Sequence, residues 1–152
     1  MMNNNIQAYA NIKGSSDYPD IYGTVTFSQR RNGILVSAQI HNLPFKACEK
    51  EIYGFHIHEG MSCTGNDVDP FADAKMHYNS GGCSLHPYHT GDMPPLFGNN
   101  GFAYMSYFTN KFSISEIIGK AIIIHDSVDD FTTQPSGNSG QKIACGIIQV
   151  YN

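Results

Sequence analysis

Apolar and polar residues alternate through GTVTFSQ (23–29) and SAQIHNL (37–43), the two-residue period of strands with one buried face. IQAYANIKG (6–14), IYGTVTFSQ (21–29) and GILVSAQIHNL (33–43) are rich in Ile, Val, Tyr and Thr, and the turn-forming SSDYPD and RRNG separate them. IYGFHIH (52–58) reads as a fourth strand and MPPLF (93–97) as a short fifth. GFAYMSYFT (101–109) follows the turn signal GNN, and GKAIIIHD (119–126) and KIACGIIQVY (142–151) complete about eight. One helical turn fits near SISEIIG, with Ser113 or Ser115 as its cap. There is no internal repeat and no low-complexity tract. The pattern predicts an all-β chain: an eight-stranded Greek-key β-barrel or sandwich, forming one domain over 1–152. Two stretches break it, Glu59 to about Asp92 and 126–140. Long irregular loops in a compact domain are usually functional.

Composition narrows the classes. Nine Lys and Arg stand against thirteen Asp and Glu, a net charge of −4, so a nucleic-acid binder with a basic stripe is excluded. No run of about 18 apolar residues is present, which argues against a membrane span. MMNNNIQAYA lacks a basic segment followed by an apolar one, so no signal peptide is expected. The protein is cytoplasmic if this start is native, and exported if a leader has been removed. Four cysteines, Cys48, Cys63, Cys83 and Cys145, allow three full pairings, and none sits in a CxxC. Even count and wide spacing suit disulfides, which imply an oxidising compartment. GNNG is a turn, not a phosphate loop.

GFHIHEG (54–60) sets two histidines one residue apart in an apolar run. On a strand, His56 and His58 point to the same face, and two neutral imidazoles there make half of a metal site. HYNSGGCSLHPYHTGD (77–92) brings His77, His86, His89 and Asp92 into one loop; three imidazoles and a carboxylate suit tetrahedral zinc. His125 ends the apolar run AIIIH, where it can face the same cavity as His56 and His58. Imidazole-rich sites with an open position suit copper and zinc. His41, in SAQIHNL, reads as an ordinary surface or hydrogen-bonded core histidine. Met61, Met76 and Met93 read as loop packing.

Taken together, GFHIHEG, Cys63, HYN (77–79), HTGD (89–92), IIIHDSVDD (122–130) and GNSGQKIACGII (137–148) resemble the copper–zinc superoxide dismutases in order and approximate spacing, over nearly the whole chain. The resemblance implies an eight-stranded Greek-key barrel or flattened sandwich, copper and zinc as cofactors, and superoxide as substrate. It implies that His56, His58, His77 and His125 ligate copper, and that His77, His86, His89 and Asp92 ligate zinc, with His77 bridging. It implies Asp129 as the carboxylate linking a copper ligand to a zinc ligand, and a Cys63–Cys145 disulfide. Catalytic roles fall to His77, as the proton-carrying bridge, and to Lys142, as the cation that draws in the anion. A homodimer is possible; neither a nucleic-acid nor a membrane partner is implied.

Three departures stand out. Where the family has an arginine beside the copper, this chain has Lys142, which keeps the charge without the planar fork. His77 to His86 spans nine positions, one more than the common spacing, which leaves Cys83 as an alternative ligand to His86. Cys48 and Cys83 lie outside the family's disulfide and could form a second one. The alternative to the enzyme is a non-enzymatic copper-binding, copper-donating or structural member of the same family.

Overall fold

The computed structural model describes residues 6–151, so the opening residues 1–5, which carry part of the signal-peptide reading, lie outside them. Ten strands are present among the described residues: β1 (Ile6–Gly14), β2 (Tyr22–Arg30), β3 (Gly33–His41), β4 (Ile52–Tyr53), β5 (Phe55–His58), β6 (Leu96–Asn99), β7 (Phe102–Thr109), β8 (Ala121–His125), β9 (Lys142–Ile147) and β10 (Gln149–Val150). The count exceeds the expected eight because two predicted runs are interrupted. IYGFHIH breaks at Gly54, whose N–H donates to the Ser127 carbonyl at 2.9 Å. A Cβ there would meet the Ser139 side chain at 2.8 Å, so only glycine admits that close approach. KIACGIIQVY breaks at Ile148, which bonds Lys120 while β10 moves to β1. α1 (Ile114–Ile117) starts at Ser113, whose N–H donates to the Glu116 carboxylate at 2.7 Å. No helix among the described residues is long and apolar enough to cross a membrane.

Every strand pairing is antiparallel, and the sheet runs β4-β6-β7-β3-β2-β1-β9-β8-β5. Its two ends, β4 and β5, are consecutive pieces of one segment, so the sheet is a nearly closed barrel. The β3→β4 and β7→β8 connections pass over their spatial neighbours, which is the Greek-key pattern. Phe27, Ile40, Tyr53, Phe55, Ile57, Ile122 and Ile124 fill the interior.

The alternation in β8 positions the chemistry. Ile122 and Ile124 enter the barrel core, whereas Ala121 and Ile123 pack outward against Phe71, Ala74 and Cys145. His56 lies opposite Ile123 and His58 opposite Ala121, so both histidines leave the barrel on that outward face. The strand is therefore buried on both sides, by the core and by the loop after β5. This explains why an otherwise apolar run carries HxH.

Candidate metal centre

The loop after β5 is laid onto the barrel by backbone pairing. Tyr78 N–H donates to the Ile57 carbonyl at 2.8 Å, and Ile57 N–H donates to Gly91 at 2.9 Å. The segments around His77 and Asp92 thus act as short extra strands beside β5, bridging His58 to His77 and His56 to Asp92. The Cys63–Cys145 disulfide ties the start of the loop to β9.

Six histidines and Asp92 converge. His56, His58, His77 and His125 form one group and His77, His86, His89 and Asp92 a second, with the offered ligand atoms of each group within 4.8 Å of one another. His77 is common to both. All seven residues are buried. His41 stands apart on the outer sheet face, half-buried and stacked on Tyr22 at a centroid distance of 4.7 Å.

Hydrogen bonds set the tautomer of each ring. His56 Nε2 donates to Asp129 Oδ2 at 2.6 Å, and His86 Nε2 to Asp129 Oδ1 at 2.7 Å. His77 Nδ1 donates to Asp92 Oδ1 at 2.7 Å. His58 Nδ1 donates to the Lys75 carbonyl at 2.8 Å, His125 Nδ1 to Gly140 at 3.3 Å and His89 Nε2 to Ser84 at 3.1 Å. Each ring therefore aims its other nitrogen, a lone pair, inward. His56 Nδ1, His77 Nε2, His86 Nδ1 and His89 Nδ1 are buried without a hydrogen-bond partner, and His58 Nε2 faces His125 Nε2 at 3.4 Å. Unpartnered buried acceptors are costly, and two lone pairs that close repel. A cation in each of the two groups would satisfy these atoms, so the donor set fits two metal ions: an all-imidazole group suited to copper and a His₃Asp group suited to zinc.

Burial keeps His56, His58 and His125 neutral. Burial pushes the His56 and His58 imidazoles well below their usual range, and the neighbouring His77 and His125 push them further. Burial carries His125 down to about 4. Burial alone would raise the Asp92 carboxyl, but the His77 hydrogen bond and the His77 and His86 rings together hold it below 3.8. Unfolded histidines take up protons below about 6.5 that folded His56, His58 and His125 refuse. Metal-free protein should therefore lose stability as pH falls from 6.5 toward 4, where folded His125 begins to titrate. Asp92 adds to the loss only below 3.8. Thermal melts of metal-free protein across this range should show a falling midpoint; a flat profile would contradict the buried neutral rings.

Other sequence expectations come out unevenly. Asp129 lies between His56 and His86 and accepts a hydrogen bond from each ring. His86, not Cys83, stands in the second group: the His86 side chain is buried, while Cys83 is exposed. The second disulfide open to Cys48 and Cys83 does not form, and both thiols are free and exposed. Cys48 sits in the turn after β3, beside a groove lined by Asp126 and Val128, whereas Cys83 lies in the loop tip where Asn79 bonds its carbonyl. The packing role expected of the methionines holds for buried Met93, whereas Met61 and Met76 face solvent. Lys142 lies opposite His125 in the β8–β9 register, and its ammonium bonds Asp69.

Three features carried little or no sequence signal. The carbonyls of Lys75 and Gly140 orient His58 and His125. Gln134 clamps the His86 backbone, accepting its N–H at 2.8 Å and donating to its carbonyl at 2.9 Å. Gly137, at φ +71°, lets the backbone pass beside Asp129 and His86 where a Cβ would clash; the SGNSG stretch hinted at a tight loop without saying against what.

The Copper/zinc superoxide dismutase (SODC) family model matches residues 21–148. The chain is 32% identical over 149 residues to a Cu-Zn superoxide dismutase of Deinococcus radiodurans, covering 87% of this chain and 79% of that one. It is 31% identical over 138 residues to one from Legionella pneumophila, covering 86% and 80%. It is 33% identical over 141 residues to one from Aquifex aeolicus, covering 84% and 79%. The match spans the β5 histidines, the loop that overlays them and the β9 strand that staples it. By fold and by sequence, the chain belongs to the copper/zinc superoxide dismutase family.

Proposed function

We propose that His56, His58, His77 and His125 hold copper, that His77, His86, His89 and Asp92 hold zinc, and that Lys142 meets the incoming anion. The chain is a superoxide dismutase, an oxidoreductase that converts two superoxide anions and two protons to dioxygen and hydrogen peroxide, and copper and zinc are its metals. The observation that carries the residue assignment is that the two groups meet at the ring of His77, whose Nε2 is buried without a partner on the first group and whose Nδ1 faces Asp92 in the second, where a cation would displace its proton. When bound, copper supplies a reversible one-electron exchange and zinc a fixed positive charge. The residues supply the rest. His77 Nε2 faces the first group and can hold a proton there for the peroxide product, while Nδ1 remains in the second group. Asp129 fixes His56 and His86 together, so the two groups keep one geometry. Superoxide decay should be fast after loading with copper and zinc and slow after zinc alone. No copper-dependent decay in fully loaded protein would favour a copper-binding, non-enzymatic role.

A homodimer is the assembly the surface favours. The outward side of β2, β3 and β7 shows no charged residue from Tyr22 to Thr26, Leu35 to His41 or Phe102 to Phe108. On it Tyr104 lies opposite Gln39 and Phe108 opposite Leu35. Tyr22, Phe97, Phe102, Tyr104 and Phe108 are all exposed, and together present on the order of 500 Å². With the uncharged residues between them, the face approaches the roughly 800 Å² per partner of a stable interface. Two copies at −4 each repel least across such a face. Sedimentation should give a dimer, and Tyr104→Glu a monomer. A dimer unchanged by Tyr104→Glu would place the interface elsewhere, and a monomeric parent would remove it.

A further inference from the structure

We propose that Asp69 is a positioning residue that holds Lys142 and cancels part of its charge, so that this chain presents superoxide with a restrained cation. The inference rests on the reading that Lys142 meets the anion.

Lys142 lies opposite His125 across a bulge in the β8–β9 ladder, and directly opposed residues share a sheet face. Its side chain therefore leaves the sheet on the face that carries the first histidine group. It does not reach freely into solvent, being only 15% exposed. Nζ donates to Asp69 Oδ2 at 2.6 Å and to the Phe71 carbonyl at 3.2 Å. An ammonium has three donors, so one is left for an anion.

Asp69 is itself fixed. Its Oδ1 accepts the Phe71 N–H at 3.0 Å, and its carbonyl accepts the N–H groups of Asn66 and Ala72 at 2.9 and 3.2 Å. One carboxylate oxygen thus builds the turn and the other takes the lysine. A carboxylate this close turns the lysine's point charge into a dipole, whose pull on a distant anion decays faster than that of a free charge. The whole chain, at −4, supplies no net attraction of its own. The Asp69–Lys142 contact therefore controls how strongly the entrance draws superoxide.

Asp69→Asn separates the two jobs. The amide keeps an oxygen for the Phe71 N–H and places an NH₂, which cannot accept, against the ammonium. At low ionic strength the copper- and zinc-loaded variant should consume superoxide about threefold faster than the parent, with a steeper fall as salt is added. Azide affinity, read by optical titration of the loaded protein, should rise with it. In metal-free protein, acetic anhydride should modify Lys142 faster, read by peptide mass. Asp69→Glu should stay near the parent, and the gain from Asp69→Asn should vanish in a Lys142→Gln background. An unchanged or lower rate in Asp69→Asn, an unchanged salt slope, or equal Lys142 acetylation would overturn the proposal. Failure of the dismutase reading looks different: the parent itself would show no copper-dependent decay.

Discussion

Replacing His77 with alanine should lower copper-dependent superoxide decay by about a hundredfold or more and weaken both metals together. His77 is the only residue common to the two ligand groups, so its loss takes one donor from each. Replacing His89 instead would strip a donor from the second group alone. The variant also leaves Asp92 without the 2.7 Å hydrogen bond from His77, which loosens the carboxylate that closes the second group. Metal content by mass spectrometry, alongside superoxide decay, checks this. A His77→Ala protein that binds both metals normally and keeps a tenth of the parent rate would show that the shared ring is not needed.

Opening the Cys63–Cys145 disulfide should cost about 4 kcal/mol of folding stability, because a link between residues this far apart removes much chain entropy from the unfolded state. The two cysteines are 82 positions apart. For a chain of this size the loss corresponds to a midpoint about 10 °C lower. The site should suffer with the fold. The loop that carries His77, His86, His89 and Asp92 starts at this link, and Cys145 packs outward with Phe71, Ala74 and Ile123 beneath it. Melting of a Cys63→Ser variant against the oxidised parent tests the magnitude; midpoints within about 2 °C of each other would show that packing alone holds the loop.

The contrast between Lys142 and Cys48 shows where reading a sequence stops. Lys142 opens the run KIACGIIQVY, so its place at the start of a strand is legible from residue type and order, whereas its register opposite His125, across a bulge, is not. That Asp69 takes its ammonium is not legible either, because the two are 73 positions apart and the intervening loop has no period. Cys48 and Cys83 look alike in one dimension, two spare thiols flanking the same HxH strand. Which thiols can meet depends on how two irregular loops travel, and these two end on separate, exposed turns.

The ten strands against the predicted eight make the same point at smaller scale. Periodicity located IYGFHIH as one extended run. The break at Gly54 depends on Ser127 and Ser139 arriving from the other long loop.

What the sequence by itself determined is whatever depends on short-range period and residue type. The strands follow from two-residue alternation, the shared face of His56 and His58 from the same period, and the donor chemistry from six imidazoles and a carboxylate. What only the tertiary structure decided is whatever depends on where distant backbone passes. The tautomer of each ring is set by carbonyls at Lys75, Ser84 and Gly140 and by the carboxylates of Asp92 and Asp129. The free state of Cys48 and Cys83 and the pairing of Lys142 with Asp69 belong to the same class. The physical reason is common to all of them. A hydrogen bond or ion pair acts over about 3 Å, and only the closed barrel brings residues tens of positions apart within that reach.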